Sequence, residues 1–289
     1  MIGLLLPVAA GIQGGPMSAS APTVLGFIAI LCVVTISVFG GLLGGIRRNG
    51  GKVLAHTFDL PELLMSIVLI GCFIALIVRG AARTMSDTPP SVSLDQIIPN
   101  ALFFVILTAG VAAFLRFRGI RVWRALGCDR VPLLRAFALG AGLVIATVPL
   151  IAFASVAMQI ALQQKAHEQE LIALFRETAV AGNQRGVMKI LLAGAVIAPV
   201  CEEFLFRGFF YAVLKRYIGP VASAVFTAAL FAAVHLNVSA LPSLFILALC
   251  LIVAYEASGS LLVPVTMHAV FNGSQLGFLY YVSTHGLPA

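Results

Sequence analysis

The chain has 289 residues, of which 61% are hydrophobic and 10% charged. Soluble domains carry about 25% charged residues, so that class is excluded. Runs of about twenty apolar residues recur along the whole length, which predicts an all-α, polytopic transmembrane helix bundle of about eight spans. The net charge of +7 reads as orientation charge in short loops rather than a nucleic-acid surface, so no nucleic-acid partner is expected and membrane lipid is.

In chain order, residues 1–22 form a leader of unclear role. Its apolar part is too short to span and lacks a basic flank, and Met17 offers an alternative start. The first span is expected over Val24–Leu43, followed by Arg47, Arg48 and Lys52. The second covers Leu63–Val78. A polar stretch with Asp87, Pro89, Pro90 and Asp95 reads as a loop, because adjacent prolines cannot continue a helix. The third span is Ala101–Leu115, after which six arginines fall between Arg116 and Arg135. The fourth is Ala136–Leu162.

Gln163–Val187 is the longest polar interval. Its Leu171, Ile172, Leu174 and Phe175 at helical spacing predict an amphipathic helix on the membrane surface or over the bundle, a plain connection by default with a substrate lid as the alternative. Four further spans follow at Lys189–Leu214, Val221–Leu236, Leu241–Tyr255 and Leu261–Tyr281. The domain division is therefore an N-terminal set of transmembrane helices with the surface helix over 23–187, and a core over 188–289. The loops after spans one, three and five hold three, six and two Lys and Arg, against two and three after spans two and four. The excess assigns the first set to the cytoplasm. The five cysteines are scattered, without metal-type spacing or a disulfide framework.

Within the fifth, sixth and eighth spans lie residues that apolar helices rarely carry. Glu202, Glu203 and Arg207 interrupt the fifth, His235 the sixth, His268 and Asn272 the eighth. A charged group at the bilayer centre costs about 2.5–3.5 kcal/mol on insertion scales, so such residues are usually functional. Glu203 and Arg207 are four residues apart, the spacing of a side-chain pair on one helix face. Adjacent helical positions diverge by about 100°, so Glu202 cannot easily share the role of Glu203 and is left free as a general base. Pro199 removes a backbone donor and makes room near it. Glu202 and His235 each lie about 24 Å from a turn near Gly219, hence at one depth. His268 and Asn272, one helical turn apart, can donate to a developing oxyanion. Glu256, near the end of the seventh span, reads as an exposed carboxylate.

Three motifs now stand in order: Glu202-Glu203-Phe204-Leu205-Phe206-Arg207, Phe231-Ala232-Ala233-Val234-His235 and His268-Ala269-Val270-Phe271-Asn272. They resemble those of the type II CAAX prenyl endopeptidases and their bacterial relatives, the CPBP or ABI intramembrane proteases. The resemblance covers about Ile190 to Phe278 and places the catalytic core in the C-terminal four spans. It implies an endopeptidase that hydrolyses a peptide bond in a membrane-associated, CAAX-type substrate. By resemblance, Glu202 and His235 activate water, His268 and Asn272 stabilise the oxyanion, and Glu203 and Arg207 complete the site.

The family label is metalloendopeptidase, which would make a divalent metal such as zinc the cofactor, with Glu202, His235 and His268 as ligands; a metal-independent glutamate mechanism is the alternative. The expected location is the cell (inner) membrane, with the site toward the cytoplasm. Two other readings stay open: a non-enzymatic member of the same family, in bacteriocin immunity or as a scaffold, and a transporter.

Overall fold

The computed structural model describes residues 20–84, 93–162 and 170–286. Of the proposed leader over residues 1–22, residues 1–19 lie outside them, as do Asp87, Pro89 and Pro90, and Ser20–Pro22 begin a helix. The described chain is all-helical. α1 is Ser20–Asn49, α2 Leu60–Thr84, α3 Leu94–Phe117, α4 the short Val122–Ala125, α5 Leu133–Leu162 and α6 Glu170–Val180. α7 is one uninterrupted helical rod over residues 184–218. α8 is Pro220–Ala233, α9 Leu241–Ser258 and α10 Leu262–His285.

Several boundaries differ from the sequence expectation, each for a local reason. α3 begins at Leu94, so Asp95 lies in its first turn rather than in a loop. Ser93 and Gln96 form a capping box that satisfies the first backbone donors. α8 stops at Ala233, two residues before His235, because Leu236 takes a left-handed backbone (φ 52°), a common way to end a helix. Asn237 then caps the next turn by accepting from the Ala240 N–H. The amphipathic helix is Glu170–Val180 and docks on the bundle: Phe175 is fully buried. Gln184–Val187 instead start α7, with Asn183 accepting from Gly186 N at 3.0 Å.

Among the described residues, five helices are long and apolar enough to cross a membrane: Ile28–Asn49, Leu60–Arg83, Leu94–Phe117, Leu133–Leu162 and Val238–Ser258. The expected fifth, sixth and eighth spans fall outside this set, and these are the three that carry the polar motif residues. α8 is only 14 residues long. α7 carries Glu202, Glu203 and Arg207 in its interior. α10 carries His268, Asn272, Ser274 and Gln275.

Apolar side chains cover the outside: Ile30, Val33, Ile67, Val68, Ile145 and Val221 are all more than half exposed, a surface suited to hydrocarbon rather than water. Inside, one apolar cluster joins α2, α3, α7, α8 and α9 around Phe73, Phe206, Phe210 and Phe231. A second joins α1, α5, α9 and α10. A third joins α6 to α3, α7 and α10, through Ile97, Ile172, Phe175, Ile190 and Leu276. α9 belongs to the first two clusters and stands between them.

Close approach of α5 to α10 depends on Gly140. A β-carbon there would lie 2.7 Å from the Met267 backbone nitrogen and 2.6 Å from Thr266 Oγ1. Thr266 Oγ1 also donates to Ala136 O at 2.8 Å, tying the helices together. Small residues let backbones meet in this way in membrane bundles. Gly140→Ala is therefore expected to push α10, and His268 with it, off α5. A fall of several degrees in melting temperature in detergent, together with lost activity, is the outcome to look for.

The two ends of the bundle differ in charge. At one end, the basic end, lie Arg47, Arg48, Lys52, Arg116, Arg118, Arg121, Arg124, Arg130, Arg135, Lys215 and Arg216, against Asp59, Glu62, Asp129 and Glu256. At the other, among the described side chains, are Arg79, Arg83, Arg176, Arg185 and Lys189, with Asp95 and Glu177. The basic end is closed by a plug. The loop after α4 is tied to two neighbours: Leu126 O accepts from Leu261 N–H of the α9–α10 turn at 3.0 Å, and Arg130 Nη1 donates to Lys52 O of the loop after α1 at 2.9 Å.

Glu256 belongs to this end and is not exposed, contrary to expectation. It is 4% accessible and accepts from Tyr211 Oη at 2.6 Å and from Lys215 Nζ at 2.5 Å. A buried carboxylate needs such partners.

Candidate active site

The functional side chains sit on α7, α10 and the turn after α8, and the local winding of α7 decides where they point. The rod changes from α over Gln184–Leu192 to π over Ala193–Ile197, back to α over Ala198–Glu203, to π over Phe204–Tyr211, and to α over Ala212–Ile218. π turns are rare and recur at functional sites. Pro199 accounts for the consequence of the first. Ala198 N–H bonds Ala193 O, the π register. In that register Gly194 O would need the N–H of residue 199, and proline has none. Asn272 Nδ2 supplies the missing donor, at 2.9 Å from Gly194 O. The proline thus acts by freeing a carbonyl that orients an amide of α10.

Glu203 and Arg207 form the expected pair, Arg207 Nη1 to Glu203 Oε1 at 2.9 Å. Both are completely enclosed, at 0% and 1% exposure. The guanidinium also stacks on Phe231, 4.3 Å from the ring centre, a favourable cation–π placement. His268 adds a third member. Its Nδ1 lies 2.8 Å from the same Glu203 oxygen, while its Nε2 lies 3.8 Å from Glu202 Oε2. The two glutamates therefore do meet at one group. Divergent Cβ directions do not separate them because an imidazole has two nitrogens on opposite edges, and each carboxylate faces one.

The hydrogen bonds assign the tautomers. A carboxylate only accepts, so His268 Nδ1 carries a proton and Nε2 faces Glu202. A backbone carbonyl also only accepts. His235 Nδ1, 2.7 Å from Phe231 O, therefore donates and leaves Nε2 for the cavity. Phe231 packs against both imidazoles, with ring centres 4.9 and 5.9 Å away.

Glu202, His235, His268 and Asn272 all line one cavity of about 200 Å³. Gly194, Ala198, Leu244, Leu247, Gln275 and Leu276 complete most of its wall, with Leu171 and Ile172 of α6 above. Glu202 is 19% exposed in its side chain, the accessible carboxylate of the pair. Glu203 and Arg207 are close by but buried beneath the wall. Sequence reading missed two contributors, the π register and the free Gly194 carbonyl, for which Pro199 was the visible signal. Of the placements open for α6, on the membrane surface or over the bundle, the structure takes the second, with Leu171 and Ile172 in the cavity wall.

The donor set does not fit a metal centre. Among the described residues, no group of three or more His, Cys, Asp and Glu has the geometry to hold an ion. Glu203 is committed to Arg207 and His268, while each histidine is bonded through Nδ1 and keeps Nε2 for the cavity. The expected set of Glu202, His235 and His268 shares a cavity without converging on a point, whereas zinc needs ligands about 2.0–2.2 Å from one centre.

With the geometry in place, comparison with known proteins is informative. Residues 184–274 match the family described as type II CAAX prenyl endopeptidase Rce1-like. This region of the chain is Rce1-like. The Rce1-like region starts at the first residue of α7 and ends two residues after Asn272, so it holds the whole motif set. An uncharacterized 24.3 kDa protein of Escherichia coli is 37% identical over 99 residues, covering 32% of this chain and 45% of that protein. The chain thus spans less than half the length of that curated relative. No solved structure matches. The match over residues 184–274 supports a protease or hydrolase.

Proposed function

We propose that the protein is an intramembrane endopeptidase in which Glu202, helped by His235, activates water for attack on a peptide bond of a membrane-associated substrate. The observation that carries this reading is the shared cavity, in which one accessible carboxylate, two imidazoles and one amide face the same 200 Å³ space. Glu202 accepts the proton of the attacking water, and His235 Nε2 accepts a hydrogen bond from that water and orients it. The tetrahedral oxyanion then forms near His268 and Asn272. Asn272 has a second N–H besides the one given to Gly194 O. His268 can donate from Nε2 only as an imidazolium, since Nδ1 already donates to Glu203. Glu203, held by Arg207, is placed to stabilise that charged form. Return of the proton from Glu202 to the leaving amine completes hydrolysis.

Purified protein with a farnesylated CAAX-type peptide is the direct test, and release of the C-terminal fragment is the expected result. Chelation is the informative second arm. Turnover unchanged after dialysis against EDTA or 1,10-phenanthroline is expected from a site whose residues do not converge on an ion. Loss of turnover that zinc restores would replace the glutamate–histidine mechanism with a metal-assisted one. A variant without activity on any membrane peptide, but with an intact biological phenotype, would instead favour the non-enzymatic reading.

A further inference from the structure

The cavity has a direction. Along α7 its wall runs from Glu202 back to Ala198 and Gly194, about 12 Å toward the Gln184 end. Along α10 it runs from His268 on to Asn272 and Leu276, again about 12 Å, toward His285. These two helices are antiparallel, so both walls lead away from the basic end. In the opposite direction the interior is solid. Arg207, Phe209, Phe210 and Tyr211 are each at most 1% exposed, and Leu126 and Leu261 close the plug above them. Gly127 (φ 64°) is so close to the α9–α10 turn that a β-carbon there would overlap Gly259 O. About 20 Å of packed helix separates Glu202 from Lys215.

Charge decides which face is which. Eleven Lys and Arg cluster at the basic end against five described at the other, and an excess in short loops marks the cytoplasmic side. We propose that the site opens on the non-cytoplasmic face, beneath α6, and that its substrates present their scissile bond there. This is opposite to the orientation expected for the site from sequence. The substrate class is a polypeptide anchored in or on the outer leaflet, or emerging from a membrane span on that side. In an intact membrane a prenylated C-terminus presented from the cytoplasm would not reach Glu202, whereas the purified protein exposes both faces to an added peptide. The choice of substrate rests on the protease reading above, whereas the orientation does not.

Intact cells and a small, membrane-impermeant, charged methanethiosulfonate reagent test it, with wild type as the blank for the five natural thiols. Val238→Cys sits on the exposed turn after α8, Gln275→Cys in the cavity wall, and Phe117→Cys at the basic end, where the natural side chain is 90% exposed. Val238→Cys and Gln275→Cys should label in intact cells, and Phe117→Cys only after permeabilisation. Trp123→Cys replaces the last if it fails to accumulate, and Leu171→Cys, also in the cavity wall, does so for Gln275. Labelling of Phe117→Cys from outside would overturn the orientation. Labelling of Val238→Cys from outside without Gln275→Cys would overturn the direction of the cavity. None of these readouts needs turnover, so they stand if no protease activity is found, and absence of cleavage with the expected labelling would count against the protease reading alone.

Discussion

Glu202→Gln is expected to abolish turnover while leaving the protein folded. General acid–base groups typically contribute about 10²–10⁴-fold, and the accessible carboxylate is the one group in the cavity with no strong structural partner. Glutamine keeps the volume and loses the proton acceptor. The nearest strong acceptor, Glu203, is enclosed and already binds Arg207 and His268. Its place cannot be taken without dismantling the pair. The measurement is initial rate on a membrane-peptide substrate beside a melting curve. A rate within tenfold of wild type would remove Glu202 as the base, and unfolding of the variant would mean that its role is structural.

Arg207→Ala should have the largest effect on stability. It leaves the Glu203 carboxylate fully buried with only His268 as partner, and breaking a buried pair typically costs about 3–5 kcal/mol. That is a large share of the roughly 5–15 kcal/mol by which a domain is stable. The cation–π contact with Phe231 is lost as well. Little folded protein should be recovered from the membrane. The double variant Glu203→Leu, Arg207→Met separates structure from chemistry. Replacing both charges with apolar groups of similar size is often neutral, so yield should return. Activity should not, because His268 then loses the acceptor that holds its ring and its Nδ1 proton. Recovered activity in the double variant would show that Glu203 has no part in orienting His268.

The Glu203–Arg207 pair was legible from sequence because four-residue spacing on a helix leaves few alternatives. The depth match of Glu202 and His235 was legible for the same reason, since helical rise converts residue number into distance. The contact between Glu203 and His268 was not. It joins α7 to α10 across the bundle, and neither hydropathy nor spacing reports which faces of two distant helices meet. Glu256 was misread for a related reason: a carboxylate at a helix end is normally solvated, and only the packing of Tyr211 and Lys215 around it makes it buried.

By itself the sequence determined the helical membrane class, the basic bias of one set of loops and the identity of the motif residues, because composition and short-range periodicity are local properties. The tertiary structure decided what those residues do together. It turned Pro199 into an orienting device for Asn272, brought two glutamates to opposite edges of His268, and directed the cavity away from the basic end. Those outcomes depend on the relative rotation and register of whole helices, which no single segment encodes.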